Sequence, residues 1–364
     1  MMKMVTPLTV LAFALGATPA MAGGMDWSFY GKLHTSINLM NDSEDSQLGL
    51  SSNTSRFGFK GDQELNENLT FIWQFENSLN IAQRGGTLAG RSSFLGLKGT
   101  WGTAQWGIHE SPYYILGRRT TYFNDSVGDN RQVMMHTDNR RSDYLMYLSP
   151  DLSGFGFQLG YEFDQNDAMA DNQATSFAGM AHYATDAFFL GVAYETLSKG
   201  MFDFVDDQET DDPDDDVYVN GENAESRLRF AGKYDTGKFG VALIYQMLTD
   251  YDGIEDWKST TLGGELVFHA SEKFDLKGGY HVLNPDTEEI AGPDGGCSLL
   301  ALGIDYNYVK NVQFYLQYAG IMNEDNGTWG LGDNNGFGAP TDPSAAADPG
   351  ATVSGFSFGT TVKW

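Results

Sequence analysis

The six histidines, His34, His109, His136, His182, His269 and His281, are scattered along the chain. None belongs to a His-Glu-x-x-His pair and no serine sits in a nucleophile motif, so neither a metal hydrolase nor a serine hydrolase has a constellation to build on. Acidic loops near His109 and His136 are all that a hydrolase would have, and the chain is not expected to be an enzyme. The single cysteine, Cys297, excludes a disulfide framework and any multi-cysteine metal or redox motif, and no cofactor is expected. What remains is fixed charge. Residues 203–216 hold nine acids (Asp203, Asp206, Asp207, Glu209, Asp211, Asp212, Asp214, Asp215, Asp216) and no base. Such a run is ordinarily a solvated, self-repelling loop. The sharper expectation is a divalent-cation site on Asp211, Asp212, Asp214, Asp215 and Asp216, since hard cations take carboxylate oxygens, although the spacing fits no calcium-loop pattern.

The 364 residues carry 22 Lys+Arg against 49 Asp+Glu, a net charge of −27. That balance argues against nucleic acid as a partner, because phosphate contacts need a basic face. A mean hydropathy of −0.35 excludes a bundle of membrane-spanning helices but not a β-barrel, whose two faces average to mild polarity. Period-2 alternation runs nearly throughout. In 354–364 Phe356, Phe358, Thr360, Val362 and Trp364 oppose Ser357, Gly359, Thr361 and Lys363; in 27–39 Trp27, Phe29, Leu33, Ile37 and Leu39 oppose Tyr30, Lys32, His34, Ser36 and Asn38. Strand side chains alternate between faces, so one face is apolar and the other polar. No helical periodicity is sustained after residue 22.

Segments of this kind are joined by short connections near 64–68, 100–102, 150–154, 184–186, 235–238, 271–273 and 309–311. Long polar ones cover roughly 41–54, 80–90, 110–141, 164–175, 196–224, 248–258, 283–297 and 321–353. Fifteen connections imply sixteen strands, with long and short alternating as in up-and-down hairpins. A soluble β-sandwich would have shorter strands and would leave the polar second face without a role. Aromatics also gather toward strand ends (Trp27, Trp101, Trp106, Tyr234, Tyr280, Tyr308, Trp364), as a membrane girdle requires. The expected fold is therefore all-β: a transmembrane up-and-down antiparallel barrel of sixteen strands, closed because lipid offers no partner to a free edge.

Lys3, the apolar stretch Val5 to Ala17 and Ala20-Met21-Ala22 form the pattern of a secretory signal peptide. Residues 1–22 are expected to be removed, leaving a barrel domain over 23–364 with 21 basic and 49 acidic residues, −28.

The stretches FYGKLHTSINL (29–39), SRFGFKGDQELNENLTFIWQFE (55–76), GRSSFLGLKGTWGTAQWG (90–107), YLMYLSPDLSGFGFQLGYEF (144–163) and the terminal VKW (362–364) are similar to the general diffusion porins of Gram-negative outer membranes. The resemblance spans the whole mature chain. It implies a homotrimer of sixteen-stranded barrels in the cell outer membrane, among lipid and lipopolysaccharide, with the third long loop folded into each pore. Trp364 resembles the terminal aromatic read by the barrel assembly machinery, although that family usually ends in Phe. The function implied is a water-filled channel for passive diffusion of ions and small hydrophilic solutes.

In that family basic wall residues face acids of the inward loop. Lys32 and Arg56 match wall positions and lie on the polar face by parity, and Lys60 shares the face of Arg56. Arg91 matches a third position, and Arg140 or Arg141 supplies a fourth. The inward loop, 110–141, offers Glu110, Asp125, Asp129 and Asp138. It lacks the family's Pro-Glu-Phe-Gly signature and carries Arg118, Arg119 and Arg131 instead, which leaves cation or anion preference open. Two alternatives stand beside the general channel. A sugar-selective pore would use an aromatic track such as Tyr113, Tyr114, Tyr122 and Phe123. A surface adhesin or structural envelope protein would use the acidic loops, where a divalent ion could bridge lipopolysaccharide phosphates.

Overall fold

The computed structural model describes residues 26–82, 90–135, 137–163, 174–201, 203–206, 217–220, 223–286, 295–332 and 347–364. The expected signal segment, His136 and the cation candidates Asp211, Asp212, Asp214, Asp215 and Asp216 lie outside them.

The wall is one antiparallel sheet. Its strands are β1 (Asp26–Asn41), β2 in two halves (Ser46–Ser52 and Arg56–Asn66), β3 (Leu69–Ser78), β4 (Ser93–Gly99), β5 (Gly102–Glu110), β6 (Arg140–Leu148), β7 (Phe155–Glu162) and β8 (Ser176–Ala184). There follow β9 (Phe188–Leu197), β10 (Glu225–Asp235), β11 (Phe239–Thr249), β12 (Lys258–His269), β13 (Phe274–Asp286), β14 (Cys297–Val309), β15 (Val312–Asn323) and β16 (Thr352–Lys363). Each pairs with its neighbour in sequence, and β16 returns to β1 from Lys32↔Lys363 to Asn41↔Ser354, so sixteen wall strands close without an edge. One rim has tight turns. The other carries the long loops L1 (42–45), L2 (79–92), L3 (111–139), L4 (163–175), L5 (198–224), L6 (250–257), L7 (287–296) and L8 (324–351).

The alternating sequence explains the wall. Ile37, Leu39, Leu243, Leu262, Leu266, Phe356 and Phe358 point outward and are exposed, while His34, Ser36, Asn38, Gln246, Glu265 and Ser357 point inward and are buried. A continuous apolar outer surface of this size is compatible with lipid and not with water. Trp27, Trp101, Tyr234, Tyr308 and Trp364 are exposed near the tight-turn rim, whereas Trp106 and Tyr280, also exposed, sit mid-strand rather than in a girdle. Trp364 fixes the closing seam: its backbone exchanges hydrogen bonds with Gly31, and its ring lies against Phe29 at 5.9 Å. A Cβ on Gly31 would be 2.2 Å from the Trp364 ring, which is why glycine stands there.

Four features depart from the sequence expectation. The first loop is only 42–45, because 46–52 is strand: Leu48 and Leu50 point outward between Gln47, Gly49 and Ser51. Its polar composition hides a short period-2 run. The break before Arg56 is held by side chains, with Ser55 Oγ accepting from His34 N (2.9 Å) and donating to His34 O (3.0 Å), beside Thr54 at φ 52°. Second, L3 contains a helix, α1 (Pro112–Arg119), too short to show a periodicity. Third, L5 includes a small ribbon, Asp203–Asp206 paired with Val217–Asn220, apart from the wall.

Fourth, the inner face is not polar along its whole length. At the loop rim, Met40, Leu248, Leu283, Cys297, Leu299, Ala319, Ile321 and Val353 all point inward. They form a buried apolar cluster with Val127, Val133 and Met135 of L3, Trp257 of L6, and Trp329 and Leu331 of L8. The core of this protein is inside its own barrel.

Candidate functional site

L3 leaves β5 at Ser111, whose hydroxyl caps α1 by accepting from Tyr114 N (3.2 Å), with Pro112 pre-set for the first turn. Tyr113 and Leu116 of the helix bury against Met180, Ala193, Ala231 and Ile244 on the inner faces of β8 to β11. Glycines make the room: a Cβ on Gly191 would be 2.6 Å from Leu116. Beyond the helix, Thr121 donates to Glu265 (2.8 Å), Tyr122 N also donates to Glu265, and Lys277 Nζ donates to Tyr122 O (2.9 Å). Phe123 drops into a socket between Gly279 and Gly303, where added Cβ atoms would stand 3.5 and 3.1 Å from its ring. The segment thus lies along β8 to β14 on the inside, and its free side looks toward β1 to β5.

Three ion-pair groups line that side. Asp125, at φ 57°, receives Lys32 Nζ at 2.7 Å from β1 and Arg131 at 2.9 Å, while Arg131 also pairs with Asp129. Glu76 of β3 holds Arg91 at 2.7 Å and Arg56 at 3.5 Å, and accepts from Tyr30 Oη at 3.1 Å. Glu110 holds Arg118 at 2.7 Å and Arg140 at 2.5 Å. The guanidiniums of Arg118, Arg131 and Arg140 surround the Tyr114 ring at 5.7, 6.0 and 5.8 Å, a charge–quadrupole attraction that gathers like charges. Burial alone would push the Asp125 carboxyl up, but Lys32, Arg131 and Arg118 hold it well below the usual carboxylate range.

The expected wall residues are thereby placed. Lys32, Arg56, Arg91 and Arg140 belong to these groups. Lys60 is exposed, 5.3 Å from the Tyr30 ring, with no carboxylate in ion-pair reach among the described residues. Arg141 lies elsewhere: it turns to Glu162 (3.7 Å) and Glu195 (3.5 Å) in a buried network with Arg227, because the chain bulges at Asp143, φ 45°. Of the loop acids, Glu110 ends β5, Asp125 faces Lys32, and Asp129 sits behind it on Arg131. Asp138 belongs to none of the three groups and is buried against Arg229 at 2.6 Å. Glu76, Arg118 and Arg131 are partners that had no assigned role in the sequence; Glu76 falls on the polar parity of its strand, opposite Phe75, so alternation pointed to it. Of the aromatic candidates in L3, Tyr113, Tyr114 and Phe123 are buried and Tyr122 is half-buried, so the four form no continuous exposed track. Cys297 is buried in the apolar cluster.

A closed sixteen-stranded barrel, apolar outside, with charges gathered about an internal loop, defines a membrane channel. The Gram-negative porin family model matches residues 8–326, and the chain belongs to that family. It is similar to the chitoporin of Vibrio furnissii, with 28% identity covering 70% of this chain and 87% of the relative. Among solved structures it is similar to an anion-selective porin from Comamonas acidovorans (TM-score 0.74, 18% identity, 94% of this chain and all of that one). It also resembles the trimer form of OmpT, an outer membrane protein of Vibrio cholerae (TM-score 0.68, 17% identity, 93% and 99%). The protein is an outer-membrane channel for passive diffusion of ions and small hydrophilic solutes.

Proposed function

We propose that L3 forms the constriction of this channel, that the passage runs between L3 and β1 to β5, and that it favours small anions. One observation carries the preference: at this level Lys32, Arg56, Arg91, Arg118, Arg131 and Arg140 stand against Glu76, Glu110, Asp125 and Asp129, the reverse of the whole-chain balance. Selectivity in a narrow aqueous passage follows the fixed charges that line it, not the net charge of the protein. The anion-selective structural relative is in keeping with this preference. Three such barrels associate through part of their outer wall, as in the trimeric relative, once residues 1–22 are removed as a signal peptide.

A sugar-selective pore, as the name of the chitoporin suggests for that relative, needs an exposed aromatic track, and here Tyr113, Tyr114 and Phe123 are buried and only Tyr122 is half-buried. The test is the reversal potential of purified protein in a planar bilayer under a concentrated potassium chloride gradient. The native channel is expected to pass chloride preferentially, and Arg56→Gln with Lys60→Gln to move the potential toward cation preference. A cation-preferring native channel, or a potential unmoved by the double substitution, would overturn the assignment.

A further inference from the structure

The apolar cluster inside the loop rim serves no aqueous passage, and its composition points to a mechanical role. Its wall members come only from β1, β11, β13, β14, β15 and β16, so it fills one side of the lumen. L3 contributes Val127, Val133 and Met135, which flank Asp129 and Arg131 in sequence, and Gly128 lies so close to β14 that a Cβ there would be 2.9 Å from Ala301. L8 contributes Trp329 and Leu331.

L8 is itself held in place. Trp329 Nε1 donates to Gly295 O of L7 (2.9 Å), and Trp329 N donates to Asn323 Oδ1 (3.0 Å). Asn323 Nδ2 in turn donates to the carbonyls of Trp329 (3.0 Å) and Ala351 (2.8 Å). Leu331 lies over Gly355 of β16, where an added Cβ would be 3.3 Å from it and 2.5 Å from Met40. Polar contacts hold L3 at Thr121 and Tyr122, at the Lys32 bridge and through the carbonyls of Val133 and Met134. Between Val127 and Met135 the wall reaches the loop through Thr261 Oγ1, which donates to Val133 O (3.2 Å), and Gln246 Nε2, which donates to Met134 O (3.3 Å), while the side chains of Val127, Val133 and Met135 are held by apolar burial in the cluster that Trp329 and Leu331 share.

We infer that Trp329 and Leu331 of L8 are positioning residues for permeation: they wedge L3 against β13 to β15 and so set the width of the passage from its far side. This rests on L3 being the constriction. Burial of a tryptophan excludes water from the cluster, and truncating one leaves a cavity that the surrounding loops cannot close without moving. A loop released from this wedge would sample positions across the passage, and Asp125 would no longer be presented to Lys32 in one geometry.

The molecule carries its own reporter. Cys297 is its only cysteine and is buried in the same cluster, so a water-soluble maleimide reads whether the cluster has opened. The experiment compares native protein, Trp329→Ala, Trp329→Phe, Leu331→Ala and Asp125→Asn, each confirmed as a folded barrel by its heat-modifiable mobility in detergent gels. For Trp329→Ala we expect Cys297 labelling to accelerate about tenfold or more, as for a site of lowered local opening energy. Open-channel current noise and mean conductance should rise with it, and Trp329→Phe should return both toward native. Leu331→Ala, the smaller deletion, gives the same signs to a lesser degree and carries the test if Trp329→Ala does not assemble. Native noise and conductance in folded Trp329→Ala or Leu331→Ala would overturn the inference, whether or not Cys297 becomes reactive. Asp125→Asn separates the two levels. If it shifts the reversal potential while the L8 variants change nothing, L3 is the constriction but L8 does not position it; if it too changes nothing, L3 is not the constriction.

Discussion

At the residue scale the interior is governed by pairing. Arg229 is fully buried, with Asp138 at 2.6 Å and Gln246 Oε1 at 2.6 Å, and Arg227 beside it reaches Glu195 at 3.0 Å. Removing one member of such a set strands a charge, at a typical cost of about 3–5 kcal/mol. Asp252 in L6 is an acid without this support. It stands at φ 53°, its neighbours include Glu225, and burial followed by that like charge push its carboxyl up to about 6, with Arg227 only partly opposing. The folded value lies above the ordinary one near 3.8, so the folded loop prefers the protonated acid. The associated stability is full below about pH 4 and is lost as pH rises through about 6. Once base-catalysed intrinsic exchange is divided out, higher protection across 250–257 is therefore expected at pH 4.5 than at pH 7.5, and Asp252→Asn should abolish that difference in protection. Exchange rates that track base catalysis alone, with no excess opening at pH 7.5, would show that Asp252 does not titrate in this range.

At the element scale, the seating of L3 depends on small residues in the wall as much as on the loop. Phe123 fits because Gly279 and Gly303 lack side chains. Gly303→Val would place branched carbons against that ring, Gln317 and Lys277, and overpacking of this kind costs about 1–3 kcal/mol. The expected result is a noisier channel, with Phe123→Leu restoring quieter current in the double variant; additive effects of the two substitutions would place the strain elsewhere. The elements were legible to unequal degrees. The wall strands and their parity follow from alternation, and their number from the connections between them, because a barrel turns one face of every strand to lipid and the other to its interior. Lys32 and Arg56 were readable for that reason. The split of Arg140 from Arg141 was not, since a bulge at Asp143 cancels parity locally. Asp138 looked like a passage acid because composition cannot tell a loop's free side from its packed side. The strand at 46–52 and the helix at 112–119 are each too short for their period to stand out.

At the scale of the whole molecule, two opposing charge distributions coexist. The chain is acidic, at −27, with an acidic run in L5, yet the groups around L3 are rich in bases. Their reach differs with salt, since the Debye length is about 3 Å at 1 M and about 30 Å at 0.01 M. Anion preference is therefore expected to be strongest in concentrated salt and to weaken or reverse as salt is diluted. A reversal potential that becomes steadily more anionic on dilution would mean that the outer charge does not act on the mouth.

The apolar cluster within the rim has a consequence for the order of events in time. Its wall residues come from both ends of the chain, Met40 on β1 and Val353 on β16, so it cannot assemble before the seam between those strands has zipped. Closure of the wall and condensation of the cluster are then successive events. If L3 is the constriction as proposed, a newborn barrel would conduct as a wide, poorly discriminating hole until its loops settle, for as long as an ordinary hydrophobic core takes to condense inside a wall already finished.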